Sequence, residues 1–194
     1  ATGEYSLSLK LFALSASVQQ TDLLAVAKPH LDRLSERLRE TVHFVIMDNT
    51  DVVYLYKKVP LDRLSQMSSI IGARSPMYRT AVGKAILSTM TPAEVESIWN
   101  GSTIEKKTSK TITDFEELRR ELDLIGENGY AIDNEENELG IKCVAFPLVA
   151  PGLTPSAFSV SGLSPQMTAS RIKSITPLAR EVQLRIYHDL GIGF

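Results

Sequence analysis

Asp133, Cys143 and the pair Ser159 and Ser161 are the residues whose types and settings could do chemistry, and all four lie beside or within apolar runs. Asp133 follows Tyr130-Ala131-Ile132 and opens an acid-rich stretch, Asp133-Asn134-Glu135-Glu136-Asn137-Glu138, which passes Gly140 and enters the run that holds Cys143. A carboxylate turned inward there would accept hydrogen bonds from a polar ligand, while Glu135, Glu136 and Glu138 read as acids that face solvent or brace the loop. Ser159 and Ser161 alternate with Val160, so on a strand their hydroxyls share one face. If buried, they need partners from backbone or from a polar ligand; the alternative is a strand whose polar face meets solvent. Cys143 is the only cysteine, which rules out an internal disulfide and a multi-cysteine metal site in this chain. As a nucleophile it would need a base, and His30, His43 and His188 are scattered without a supporting signature, so a small buried strand residue is the better reading.

Two further stretches invite a motif and fail it. Tyr78 to Ala85 ends in Gly83-Lys84, but a phosphate-binding loop needs Gly where Tyr78 stands and Ser or Thr where Ala85 stands. What remains is a helix start: Thr80 is a credible N-cap, and the N–H groups of Ala81, Val82 and Gly83 would favour an anion. An ordinary packed helix start explains the same residues. A calcium loop starting at Asp133 needs Gly at its sixth position and Glu at its twelfth, where Glu138 and Val144 stand. No metal site and no cofactor are expected.

The elements that must position these residues are legible in the hydrophobic periods. Leu23, Val26, Ala27, His30, Leu31, Leu34 and Leu38 recur at helical spacing, which predicts an amphipathic helix over 22–39 with Asp22 as N-cap. Gly3 to Leu14 alternates weakly, as a short strand or linker. Thr41–Met47 and Val52–Val59 are β-branched and aromatic and flank Asp48-Asn49-Thr50-Asp51, which predicts a hairpin. A third strand is expected over 61–71, broken by Gly72 to Pro76. A short helix follows Thr80 up to Thr89. Thr91-Pro92-Ala93-Glu94 is a capping box, and Thr113-Asp114-Phe115-Glu116 repeats the device before a helix with Leu118, Leu122 and Ile125 on its apolar face, stopped by Gly126 and Gly129. Two strands, 141–149 and 155–162, precede a last helix that Pro177 should kink or interrupt. Short links between neighbouring strands favour an antiparallel sheet with helices packed on it, an α+β fold.

The chain has 194 residues, 43% apolar and 23% charged, as expected for one globular domain. Its net charge of −2 gives no reason for nucleic-acid binding by this chain itself. It has no apolar run of about 18 residues and no secretory-signal pattern, so a cytoplasmic protein without a membrane span is expected.

Taken together, the segments resemble the effector-binding domain of the IclR family of bacterial transcription factors, over essentially the whole chain. The carriers are Tyr5-Ser6-Leu7, Ser75-Pro76-Met77-Tyr78, Thr80-Ala81-Val82-Gly83-Lys84-Ala85, Gly129-Tyr130-Ala131-x-Asp133-x-Glu135-Glu136, Gly140-x-x-Cys143-x-Ala145-x-Pro147 and Ser159-Val160-Ser161-Gly162. Asp133-Asn134-Glu135-Glu136 is similar to the sugar-acid branch. Pro151-Gly152-Leu153-Thr154-Pro155 departs from the family's Asp-x-x-Gly type of turn.

The resemblance implies a GAF-like α+β domain, mostly antiparallel sheet flanked by helices, spanning 1–194. It implies an N-terminal winged helix-turn-helix domain, absent from this chain, through which alone DNA is bound, and assembly into homodimers or homotetramers. It implies a small organic-acid effector held by Ser75, Ala81, Val82, Asp133, Ile141, Cys143, Ser159 and Ser161, with no catalysis, and the helix-start reading adds Gly83 to these effector-binding residues. The rival readings are a GAF-type sensor from another signalling protein and an enzyme using Cys143.

Overall fold

The computed structural model describes residues 21–60 and 67–193, with the backbone only for Thr21 and Asp22. In chain order the elements are α1 (Thr21–Leu38), β1 (Thr41–Asp48), β2 (Asp51–Lys58), β3 (Arg74–Pro76), α2 (Ala81–Leu87), α3 (Pro92–Gly101), α4 (Phe115–Asn128), β4 (Ala131–Asn134), β5 (Ile141–Leu148), β6 (Ser156–Leu163) and α5 (Ala169–Asp189), with a 3-10 turn at Met77–Arg79. The six strands form one sheet in the order β3-β2-β1-β6-β5-β4, antiparallel at every pairing. This is the expected α+β architecture.

The period of two along each strand divides the interior into two cores. Val42, Phe44, Val144, Phe146, Phe158 and Val160 point to the face covered by α1 and α5. Val45, Val52, Ala131, Ala145 and Ala157 point to the other, covered by α2, α3 and α4. Small side chains on that second face let α2 lie close, and all seven of its residues are buried. Gly83 is required for this approach, because a Cβ there would stand 2.3 Å from the Met77 backbone.

The hairpin closes through a two-residue loop, with Asp48 opposite Asp51 and Asn49 at φ 57°. A β-bulge between Phe44 and Val45 shifts the β1–β2 register, so Val45 faces Tyr54 while His43 faces Lys57. The extra residue turns Lys57 to the same face as Tyr54 and His43. α3 carries the expected capping box at Thr91 and Glu94.

Several expectations are corrected. The third strand is Arg74–Pro76, within the stretch read as a break, and residues 67–71 form no strand. α4 is capped by Asp114, whose side chain accepts from the Glu117 N–H, rather than by Thr113; Gly126 lies inside the helix and Gly129 alone ends it, at φ 71°. α5 runs through Pro177 without interruption. The carbonyl that Pro177 leaves without its donor belongs to Lys173, on the exposed side of the helix where water can serve it. β4 adds an edge strand that the acid-rich sequence concealed. The expectations for Gly3 to Leu14, the Asp22 side chain and residues 61–66 lie outside the described residues.

Candidate ligand-binding site

The antiparallel register brings the chemistry into rows across the second face. Thr41 pairs with Ser161, Ser161 with Cys143, and Cys143 with Asp133, a continuous row over β1, β6, β5 and β4. The neighbouring row holds His43, Ser159 and Ala145. Where the alanines end, the helices no longer cover the sheet, and a cavity of about 240 Å³ opens over the two rows. Ser75, Ala81, Val82, Asp133, Ile141, Cys143, Ser159 and Ser161 all line it. Gly83 does not belong with them: its N–H donates to Thr80 Oγ1 at 3.1 Å and its Cα is pressed against Met77. Of the four leading N–H groups of α2, that of Lys84 goes to the Thr80 carbonyl, which leaves those of Ala81 and Val82 beside the cavity.

Asp133 is held by its own turn. Its Oδ1 accepts from the Glu136 N–H at 2.7 Å and the Asn137 N–H at 3.4 Å. Burial pushes its carboxyl up to about 7, helped by the nearby Glu136 charge and opposed by those N–H donors and by Lys84. Of the two expectations for Glu136, facing solvent or bracing the loop, it meets the second, accepting from the Asn134 N–H. It is 5% exposed, and its Oε1 lies 2.7 Å from Nζ of Lys84, a lysine with no exposed surface that also reaches Glu121 at 3.1 Å. Glu135 and Glu138 do brace the loop, Glu135 through Lys110 and Glu138 by accepting from the Ser68 N–H and hydroxyl.

His43 is the main residue that sequence reasoning missed. Nε2 lies 2.8 Å from Ser69 Oγ, and Nδ1 lies 3.3 Å from Ser161 Oγ and 3.5 Å from Ser159 Oγ. Burial, with the Lys57 charge beside it, lowers its pKa to about 3, so the ring is neutral and both serines share one ring nitrogen. A signal existed: in Thr41-Val42-His43-Phe44-Val45, His43 alternates with core residues on the face of Val45. Arg79, Lys107 and Asn137 also line the cavity, and Tyr54 closes its side with its ring edge on His43.

Cys143 does not fit a nucleophile. Burial pushes its thiol well up, the Asp133 charge adds to this, and its hydrogen-bond partner is Ser161. Thiol raised and imidazole lowered is the reverse of an activated pair. Among the described residues no group of three or more His, Cys, Asp or Glu could hold a metal ion, and no helix is long and apolar enough to cross a membrane.

Comparison with known proteins identifies the family. Residues 15–188 match the family described as bacterial transcriptional regulator IclR C-terminal. The HTH-type transcriptional regulator KdgR of Escherichia coli is 35% identical over 193 residues, 96% of this chain and 73% of that protein. KdgR of Dickeya chrysanthemi is 40% identical over 146 residues, 75% of this chain and about half, 48%, of that protein. The crystal structure of the C-terminal domain of E. coli KdgR superposes with a TM-score of 0.78 at 31% identity, covering 88% of this chain and 99% of that one. The chain belongs to the IclR family of bacterial transcriptional regulators and carries its C-terminal, effector-binding domain.

Proposed function

We propose that the cavity over the Asp133–Cys143–Ser161 row is the effector site, and that its ligand is a small hydroxylated monocarboxylic acid, an aldonate or keto-deoxy sugar acid. The observation that carries this reading is the row itself with Ser159 beside it: an acceptor, a thiol and two hydroxyls opening into one cavity. At 240 Å³ the cavity has the liquid volume of about eight waters, below the size of drug-like pockets and suited to a six-carbon acid. With Arg74 tied to Asp48 and Asp51, the described lining sets Arg79 and Lys107 against Asp133 and Glu138, which leaves room for no more than a single negative charge. Asp133 accepts from ligand hydroxyls, Ser159 and Ser161 serve the floor, and the ligand's acid group lies at the end bordered by Ala81 and Val82.

In the intact regulator, a ligand that binds two quaternary states unequally shifts their balance and hence operator binding. DNA is contacted by a helix-turn-helix domain outside this chain, in a cytoplasmic homodimer or homotetramer, and the domain senses without catalysis.

A thermal-shift panel of aldonates, keto-deoxy sugar acids, short keto acids and aromatic acids tests the reading. Ligand at about 100 times its dissociation constant adds about 2.7 kcal/mol. A sugar acid giving the largest shift is the expected result; a panel in which no organic acid moves the melting temperature overturns it.

A further inference from the structure

We infer that Arg79 is the residue that takes the ligand's anionic group, and that this group is a carboxylate; the assignment rests on the cavity being the effector site. Arg79 ends the 3-10 turn Met77–Arg79, whose other two residues are buried, so its backbone is fixed against the core. Its side chain is 12% exposed and lines the cavity. Nε donates to Asn137 Oδ1 at 3.1 Å, and the Asn137 N–H in turn points to Asp133 Oδ1. The turn that holds Asp133 therefore also aims the guanidinium.

One donor beyond Nε is unmet. Nη1 is enclosed and has no hydrogen-bond partner among the described residues; the nearest carboxylate, Glu105 Oε2, stands 3.7 Å away on a side chain that is 67% exposed. An arginine cannot shed its proton, and an enclosed donor without an acceptor is costly. Most other cations nearby are provided for, and Lys107, which also lines the cavity, is an exposed side chain. Arg74 is tied to Asp48 and Asp51, Lys84 to Glu136 and Glu121, and Lys57 donates to the carbonyls of Met67 and Ser69. A planar group with two oxygens matches the guanidinium fork. A dianion is disfavoured, because Asp133 and Glu138 line the same space.

The test compares wild type, R79M and R79K in calorimetric titrations with gluconate, 2-keto-3-deoxygluconate and pyruvate, and with the primary amide of whichever acid binds best. The expected result is that R79M loses at least tenfold in affinity for the acid and loses the acid-over-amide preference, with R79K in between. Ligand-free R79M is expected to melt no lower than wild type, since an orphaned donor has been removed. Acid binding to R79M within twofold of wild type overturns the role of Arg79 and leaves the effector site standing. Equal weakening of acid and amide makes Arg79 a mere wall and also overturns it. Failure of every acid to bind wild type removes the acid-sensing reading and this assignment together.

Discussion

Asp133 and Ser161 stand in one cross-strand row, two strands apart, with Cys143 between them. Two strand spacings put their backbones about 10 Å apart, a span that a six-carbon acid can bridge. Neither residue could be placed there by local sequence alone. The antiparallel register of β4, β5 and β6 does it, and the alanines of the next rows let α2 close the far end.

The charge of Asp133 is held against its environment. Its carboxyl titrates near 7 in the fold, above its ordinary value of about 3.9. The protonated form is favoured by folding, so the contribution is fully present below about pH 4 and is lost as pH rises through 7. Asp133→Asn keeps an oxygen for the Glu136 N–H and removes the charge. Its melting temperature relative to wild type should rise between pH 4 and pH 8, by an amount worth at most about 4 kcal/mol. A difference that does not change with pH contradicts the assignment.

Lys84 and Glu136 form a buried pair that an apolar pair could replace without great loss, whereas one partner alone leaves a stranded charge. Lys84→Met is expected to cost about 3–5 kcal/mol in urea unfolding, and the double variant Lys84→Met/Glu136→Leu to return within about 1 kcal/mol of wild type. If the double variant is as unstable as the single one, the pair is not the source of the cost.

Cys143 reports on access to the cavity. With its thiol raised by burial, it should react with an aromatic disulfide at pH 8 at least about a hundredfold more slowly than in the urea-unfolded chain. Ser68→Ala removes a hydroxyl that holds residues 67–69 to Glu138 at the cavity wall, and should speed the reaction severalfold. Equal rates in the two folded proteins would show that this contact does not restrict entry.

Much of the fold was legible because periodicity states which face a residue occupies. The hairpin, the capping box at Thr91 and the shared face of Ser159 and Ser161 follow from local pattern, whereas the inward turn of Asp133 is one of two readings that local pattern leaves open. Partnership is a different kind of information. Lys84 meets Glu136 across 52 positions and Arg79 meets Asn137 across 58, and nothing near Glu136 distinguishes it from Glu135 and Glu138. β3, three residues ending in Pro76, and β4, four residues ending among acids, are too short to show a period of two. Ser75 and Ile141 carry no local signal and entered through the resemblance alone. Gly83 entered as a donor of the helix start after Thr80, but its role is steric.

The central claim is that the Asp133–Ser161 row binds the effector. Isothermal titration of the best-binding acid into wild type, Ser161→Ala and Asp133→Asn measures this most directly, because both substitutions preserve shape. The account expects each variant to lose at least about tenfold in affinity, about 1.4 kcal/mol, while still unfolding cooperatively. Binding as tight as wild type in both would contradict it.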